Sequence, residues 1–245
     1  MGFPPEAYKT HRSSRDSSAP SDSGRSRVPL LVAVLVFAVA LLWRLGYLAR
    51  LDASVLARSL VVDSEIYWFW AGFLREHGWW GQNPFYMGPL YPYSITLVRT
   101  LLGDSIPAVL AVQAVFGAAA CALLGDTARR GTGSVAIGLT VGLWAAFYET
   151  AVFMDGLVLM ESQLFVLEAL LLWWVALRPP GDRRLATLFG IGVLLGVLAA
   201  GRASSLLLLP VALAVFARPS PGAGRPLVRA LALVAPRPAF AGRRP

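Results

Sequence analysis

DSEIYWFWAGFLREHGWWGQNPFYMGPLYPY, residues 63–93, is the stretch on which the reading of the chain turns. It lies between two apolar runs long enough to cross a bilayer, yet it is no ordinary polar connector. Two carboxylates, Asp63 and Glu65, stand two residues apart at its start, aromatic rings crowd its length, and Gly88-Pro89-Leu90-Tyr91-Pro92 closes it as a turn. Trp and Tyr gather at the headgroup zone of any membrane protein, so the rings alone decide little. Carboxylates among those rings are more informative, because partial desolvation is costly unless something pairs with them.

Working outward, the composition fixes the class. Hydrophobic residues make up 56% of the 245, and the mean hydropathy is +0.60. Several separate stretches almost free of charge then predict an all-α integral membrane protein. The formal charge of +8 does not signal a nucleic-acid partner. The arginines come in short clusters between apolar runs, the pattern of topology determinants, with no basic stripe or nucleic-acid motif. One cysteine, Cys121, inside an apolar run excludes a disulfide framework, and His11 and His77 lack partners at zinc-ligand spacing.

Residues 1–27, rich in Ser, Pro and Arg, predict a disordered cytoplasmic tail. Val28–Leu48 predicts a first span that stays as an anchor. Ser54–Trp80 reads as a helix with Asp63 and Tyr67 on one stripe. Glu65 lies about 200° away from Asp63, so the two carboxylates converge only if the helix starts between them or bends. Residues 81–92 read as turns, and Tyr93–Leu102 as a second short helix. Five further spans are expected near Ser105–Leu124, Ser134–Ala151, Leu157–Leu177, Leu185–Ala200 and Ala203–Ala217, six in all. Gly138/Gly142 and Gly192/Gly196 form GxxxG pairs that let helices approach closely. Residues 218–245 read as an irregular tail or a truncated seventh span, such as a fragment, a frameshift or a divergent end would produce.

Arg129 and Arg130, Arg178, Arg183 and Arg184, and Arg218 and Arg225 fall on the side of the basic tail. Glu149, Asp155 and Glu161 fall opposite, without Lys or Arg between them. The positive-inside rule therefore places the amino terminus in the cytoplasm and the 49–104 loop outside. Arg202, in the hairpin between the last two short spans, also lands outside.

Asp63 is the leading candidate for chemistry, a carboxylate near the bilayer surface that can take a proton from an attacking hydroxyl. It reads equally as a helix cap or a partner for Arg58 or Arg99. Asp155 reads as a second candidate or as the amino-terminal cap of the fourth span. Glu161 and Glu168, seven residues apart, share one face of that span, where carboxylates are costly and point to function. Arg202 suits a phosphate, which a guanidinium binds through two parallel bonds, or is a snorkelling residue at a helix end. Tyr67, Trp70, Tyr86 and Tyr91 suit stacking on a sugar, framing a lipid chain, or an interfacial belt. No Ser-His-Asp or Cys-His arrangement is present, and GTGSVAIG at 131–138 opens a span rather than a phosphate loop.

At these residues the chain resembles the bacterial members of the GT-C glycosyltransferases, the superfamily of the protein O-mannosyltransferases and the lipid A aminoarabinose transferases (glycosyltransferase family 39-like). DSEIYWFWA, FYMGPLYPY, FMDGLVLMES and LLGVLAAGRASSLLLLP carry the resemblance in order, from about residue 30 to 217. It implies a polyprenyl-phosphate-linked sugar donor, transfer to a lipid, glycan or protein acceptor on the periplasmic side of a bacterial inner membrane, and an inverting single displacement. It makes Asp63 the base or acceptor-orienting residue. Glu65 approximates the neighbouring acidic residue, with Ser64 intervening, and Asp155 completes the catalytic set. Pro89 and Leu90 match the Pro-Leu of the first-loop turn. Arg202 matches an arginine after the fifth span, and with Tyr67, Tyr86, Pro89, Tyr91 and Glu161 forms the donor and acceptor contacts. The lysine that precedes the turn in the aminoarabinose enzymes is absent, Met87 or Gly88 standing near its place. Members usually have eleven or more spans, so 28–217 corresponds to about the amino-terminal half of the domain. No metal site is expected from ligand spacing, although Asp63 and Glu65 leave a divalent cation open.

Two rivals belong to other classes: a permease or flippase with Glu168 lining its path, and an inactive fragment serving as a structural subunit. The transferase reading makes a geometric demand: Asp63 faces a cavity that Asp155 and Arg202 also reach.

Overall fold

The computed structural model describes residues 27–51, 60, 63–80, 87–178 and 184–216. The amino-terminal tail, Arg58, Tyr86 and the irregular 218–245 segment lie outside the described residues. Among the described residues all regular structure is helical, as expected for an all-α membrane protein.

Helix α1 (Arg27–Leu51) and helix α4 (Ile106–Thr132) are the long posts. Pro29 and Pro107 sit in their first turns, where a missing N–H costs nothing. Ser105 caps α4, its Oγ accepting from the Ala108 N–H at 3.3 Å, and Gly133 ends it at φ 72°. These two helices have the length and apolar composition to cross a membrane. Only 17% of the most apolar window of α1 is buried against 50% for α4. The central post is therefore α4, with α1 at a lipid-facing edge.

The expected third span is broken. Helix α5 (Val135–Ala146), capped by Ser134, stops after 12 residues, and α6 (Glu149–Asp155) leaves at 53° to it. Twelve residues reach ~18 Å, well short of a bilayer core. Among the described residues two helices are long and apolar enough to cross a membrane, three if the bent pair is one span, and Leu185–Gly201 and Ala203–Ala214 are shorter apolar helices. A break frees carbonyls that a bilayer cannot hydrate. Arg44 of α1 takes one of them: its Nη1 donates to Ala146 O at 3.3 Å, while its Nε donates to Asp155 Oδ2 at 2.6 Å. One buried guanidinium thereby fastens both halves of the broken helix to α1.

The helices pack closely here because the contact is built from small residues. Val36, Ala40, Ala118, Cys121, Ala145 and Ala146 form a buried cluster. Gly138 and Gly142 abut Gly125 of α4, and Gly142 also Val36 of α1, as the GxxxG reading expects. A Cβ at Gly192 or Gly196 would meet no neighbouring atom within 4 Å, so the second GxxxG pair makes no close helix contact among the described residues.

Helix α7 (Glu161–Ala176) starts four residues later than expected. Gln113 of α4 explains the delay: its Nε2 donates to Asp155 O at 3.2 Å and Leu157 O at 2.6 Å, drawing those carbonyls away from a helical ladder. Asp155 is consequently the last residue of α6 and not a cap for α7. Helix α8 (Leu185–Gly201) follows, then a 3₁₀ segment (Ala203–Leu208) and α9 (Leu209–Phe216). Leu164, Leu171, Val175, Leu195 and Leu198 knit α7 to α8.

Between α1 and α4 the chain forms a hairpin of α2 (Asp63–His77) and α3 (Leu90–Leu102). Gly78 at φ 94° ends α2 before the expected Trp80, a backbone angle that L side chains rarely adopt. Arg99 clamps the hairpin. Its Nη1 donates to Trp68 O at 2.8 Å, its guanidinium lies 4.0 Å from the Trp68 ring centre, and its Nε reaches Asp104 Oδ1 at 2.6 Å. Arg75 holds the other Asp104 oxygen at 2.6 Å. Arg99 therefore serves Asp104, not Asp63.

The hydrogen bond from Arg99, with the Arg75 bond and both positive charges, keeps the Asp104 carboxyl below its usual 3.8. A depressed carboxylate contributes stability that is fully present above the unfolded value and lost as pH falls through the folded one. Asp104 is 49% exposed, so its contribution is about 1 kcal/mol or less. The difference in thermal midpoint between the parent chain and Asp104→Asn in detergent is expected to be constant at neutral pH. It should close only below pH 3.8.

Candidate functional site

The site forms where the α2–α3 hairpin meets the start of α7 and the end of α8. Tyr67 of α2 and Tyr91 of α3 meet edge to face at 4.9 Å within a buried cluster that includes Ala71, Ile95, Val109 and Val158. The Tyr67 hydroxyl points to Met160 Sδ at 3.5 Å, one residue before α7. Burial first, then the negative charges of Glu161 and Asp63, hold the Tyr67 hydroxyl above its ordinary pKa, with Arg202 pulling the other way. Tyr67 thus feels one charged residue from each of three elements: α2, α7 and the corner after α8. Burial raises Tyr91 still more strongly, with Glu161 as the next cause. Both hydroxyls are therefore hydrogen-bond donors at neutral pH.

The corner after α8 is built by glycine. Gly88 lies against the backbone carbonyls of Ala200 and Gly201, and a Cβ there would overlap both. Gly201 in turn leaves room for Leu164 and Leu90. The turn carrying Pro89 is thereby seated on the end of α8, beside Arg202. Arg202 is extended, at φ −146°, and its Nη2 donates to Glu161 Oε1 at 2.8 Å. The pair is accessible, at 46% and 31% exposure, and Glu161 Oε2 is buried with no partner among the described residues. A pocket of about 350 Å³ opens here, lined by Glu161, Leu164, Phe165, Glu168, Arg202, Ser204 and Ser205 among others. Ser205 Oγ donates to Glu168 Oε1 at 3.0 Å, and Glu168 lines this pocket.

Asp155 does not reach that pocket. It is 2% exposed and is paired with Arg44, itself fully buried. The expected meeting of Asp63, Asp155 and Arg202 in one cavity is therefore corrected: Arg202 lines the pocket, Asp63 stands exposed at the start of α2, and Asp155 turns inward. Asp63 and Glu65 stand in the first turn of α2, both exposed, where negative charge complements the helix dipole. Tyr67, Tyr91, Glu161, Arg202 and the Pro89 turn are brought together; Tyr86 lies outside the described residues. Among the described residues no three His, Cys, Asp or Glu side chains converge on a point where a cation would sit.

Arg44 and Gln113 escaped the sequence reading. One arginine in a 21-residue apolar run hardly changes its mean hydropathy. Its signal was its kind: an ionisable group inside a span implies a partner. That partner, Asp155, lies 111 residues away.

Replacing Gly88 by alanine would push the Pro89 turn off Gly201 and Arg202. Gly88→Ala is expected to leave membrane insertion unchanged and to cost about 1–3 kcal/mol of thermal stability in detergent by overpacking. Tryptic cleavage after Arg202, already accessible, should accelerate as the corner loosens.

No curated protein and no solved structure matches the chain. The family described as dolichyl-phosphate-mannose-protein mannosyltransferase matches residues 83–235, more than half of the 245. That range takes in Pro89, Tyr91, Asp155, Glu161 and Arg202, and the helices from α3 to α9. With an all-helical membrane fold carrying this site, the chain belongs to the dolichyl-phosphate-mannose-protein mannosyltransferase family, membrane glycosyltransferases of the GT-C type.

Proposed function

We propose that the chain transfers a sugar from a polyprenyl-phosphate-linked donor to a hydroxyl-bearing acceptor at the non-cytoplasmic face of a bacterial inner membrane. The observation that carries the reading is the accessible Arg202–Glu161 pair in a pocket that is apolar at Leu164 and Phe165 and polar at Arg202 and Ser205, with the Tyr67 hydroxyl on Met160 next to Glu161 and Asp63 one helical turn before Tyr67 on α2. An amphipathic donor with one anionic group suits such a pocket.

The roles follow from charge. In an inverting displacement the acceptor oxygen forms a bond to the anomeric carbon as the bond to the phosphate oxygen breaks, and the electron pair leaves with the phosphate. Asp63 takes the acceptor's proton; its exposure leaves it open to an incoming hydroxyl. Arg202 offsets the charge growing on the leaving phosphate, exchanging its contact with Glu161 for one with phosphate oxygens. An accessible ion pair is worth only ~0.2–1 kcal/mol, so a phosphate can displace it. The Tyr67 hydroxyl, kept protonated, donates to a donor or acceptor oxygen. Asp155 takes no part in proton transfer in this scheme, because its carboxylate is committed to Arg44.

The test uses the full chain in lipid nanodiscs with radiolabelled polyprenyl-phosphate sugars. Asp63→Asn is expected to lower kcat by about 10²–10⁴-fold, the usual contribution of a general base. Arg202→Gln should raise KM for the donor by roughly 10- to 100-fold, the loss of a hydrogen bond to a charged group. Asp63→Asn with full activity would refute the assignment of the base.

A further inference from the structure

Arg44 and Asp155 are the most deeply buried charges among the described residues, and the proposed transfer uses neither. A pair at 0% and 2% exposure is not there for cheap stability, since apolar side chains of similar volume generally serve a buried position as well or better. Its surroundings show a more specific arrangement. Arg44 touches three elements: Ala40 O within α1, Ala146 O at the end of α5, and the Asp155 carboxylate at the end of α6. Gly117 of α4 gives the pair its room, for a Cβ there would overlap both the Asp155 carboxylate and Arg44 Nε.

From Asp155 the contacts run outward to the site. Gln113 Nε2 binds the carbonyls of Asp155 and Leu157, and its Oε1 accepts from the Tyr91 hydroxyl. The Tyr91 ring meets the Tyr67 ring, and Tyr67 reaches Met160, beside Glu161. An amide such as Gln113 has a fixed donor end and a fixed acceptor end. With its donor end engaged by the 155–157 backbone, its acceptor end faces Tyr91. A shift of Asp155 is thus passed on as a shift of Tyr91, and then of Tyr67.

We propose that Arg44 and Asp155 are the positioning residues of this site, acting through Gln113 and Tyr91 to set the place of the Tyr67 ring against Glu161 and Arg202. The inference rests on the glycosyl-transfer reading only where it concerns rate; the coupling itself stands on the geometry.

The experiment reads both. Fluorotyrosine placed at position 67 of the full chain in nanodiscs reports its surroundings by 19F NMR without reference to activity. The key variant replaces both charges, Arg44→Met with Asp155→Leu, and so removes the pair without leaving a lone buried charge; Gly117→Ala wedges the pair apart with both charges kept. Both are expected to move or split the resonance at position 67 and to lower kcat about 10- to 100-fold, as small misplacements do, with KM for the donor changed less. Tyr91→Phe cuts the chain while keeping the ring. Adding the double replacement to Tyr91→Phe should therefore change the resonance no further. An unmoved resonance in folded double-replacement protein would overturn the proposal. So would a shift of equal size with and without Tyr91→Phe. Should the resonance behave as expected while the parent chain transfers no sugar from any polyprenyl-phosphate donor, the coupling stands and the reading of the reaction fails.

Discussion

A helix that stops against its neighbours leaves carbonyls that need donors from the protein. Here α5 ends at Ala146, and the rest of the structure follows from how that end is satisfied. Water is absent from the hydrocarbon region and each unpaired group costs several kcal/mol, so a donor must come from the protein. Arg44 supplies it, and the same guanidinium holds Asp155 at the far end of α6. With both ends of the broken segment fastened to α1, α6 is held away from the line of α5. The 156–160 connection becomes a run of turns, and α7 begins only at Glu161. The break thus sets where the carboxylate paired with Arg202 emerges.

Two ion pairs of opposite character result. Arg44–Asp155 is sealed, and removing either partner alone would leave a buried charge at a cost of ~3–5 kcal/mol. Arg202–Glu161 is accessible and weak, so an anion can take it apart. The proposed transfer would use both: a contact soft enough to be exchanged, on a frame stiff enough to return it to the same place. Tyr67 and Tyr91 lie between the two. Their rings pack against the α2–α3 hairpin, and their hydroxyls reach opposite ways, to Met160 and to Gln113.

Much of this was legible in the sequence wherever the signal was local. The apolar runs gave α1 and α4 within a few residues at most ends, alternating small residues marked Gly138 and Gly142, and the sidedness of the charges put Glu161 and Arg202 on one face. Most of what was missed is non-local. Hydropathy averaging hid Arg44 in its run, and Asp155 looked like a cap because its partner is on another helix. The break after Ala146 has no proline or glycine to announce it; it depends on an arginine a hundred residues earlier. Gly78 was read through as helix because aromatic residues on both sides kept the pattern going, although its positive φ ends α2.

The boundaries of the family resemblance bear on how this site is divided. The match spans residues 83–235, supplying Tyr91, Gln113, Asp155, Glu161 and Arg202. Arg44, Asp63 and Tyr67 come from before it. Arg44 and Tyr67 meet the matched part directly, Arg44 on Asp155 and Tyr67 on Tyr91 and Met160, while Asp63 stands one helical turn before Tyr67 on α2. The matched part alone thus holds the phosphate-suited arginine and the pocket, while the earlier part holds the proposed base and the group that pins the broken helix. Neither part completes the proposed site, and the order of the chain explains why they stay joined. The hairpin has α1 before it and α4 after it, so it is tethered at both ends to helices that themselves grip the α5–α6 break. The Arg202 pocket and the α2–α3 hairpin are then held to one geometry by the packing of α1 on α4, a contact made of alanines, glycines and one buried arginine.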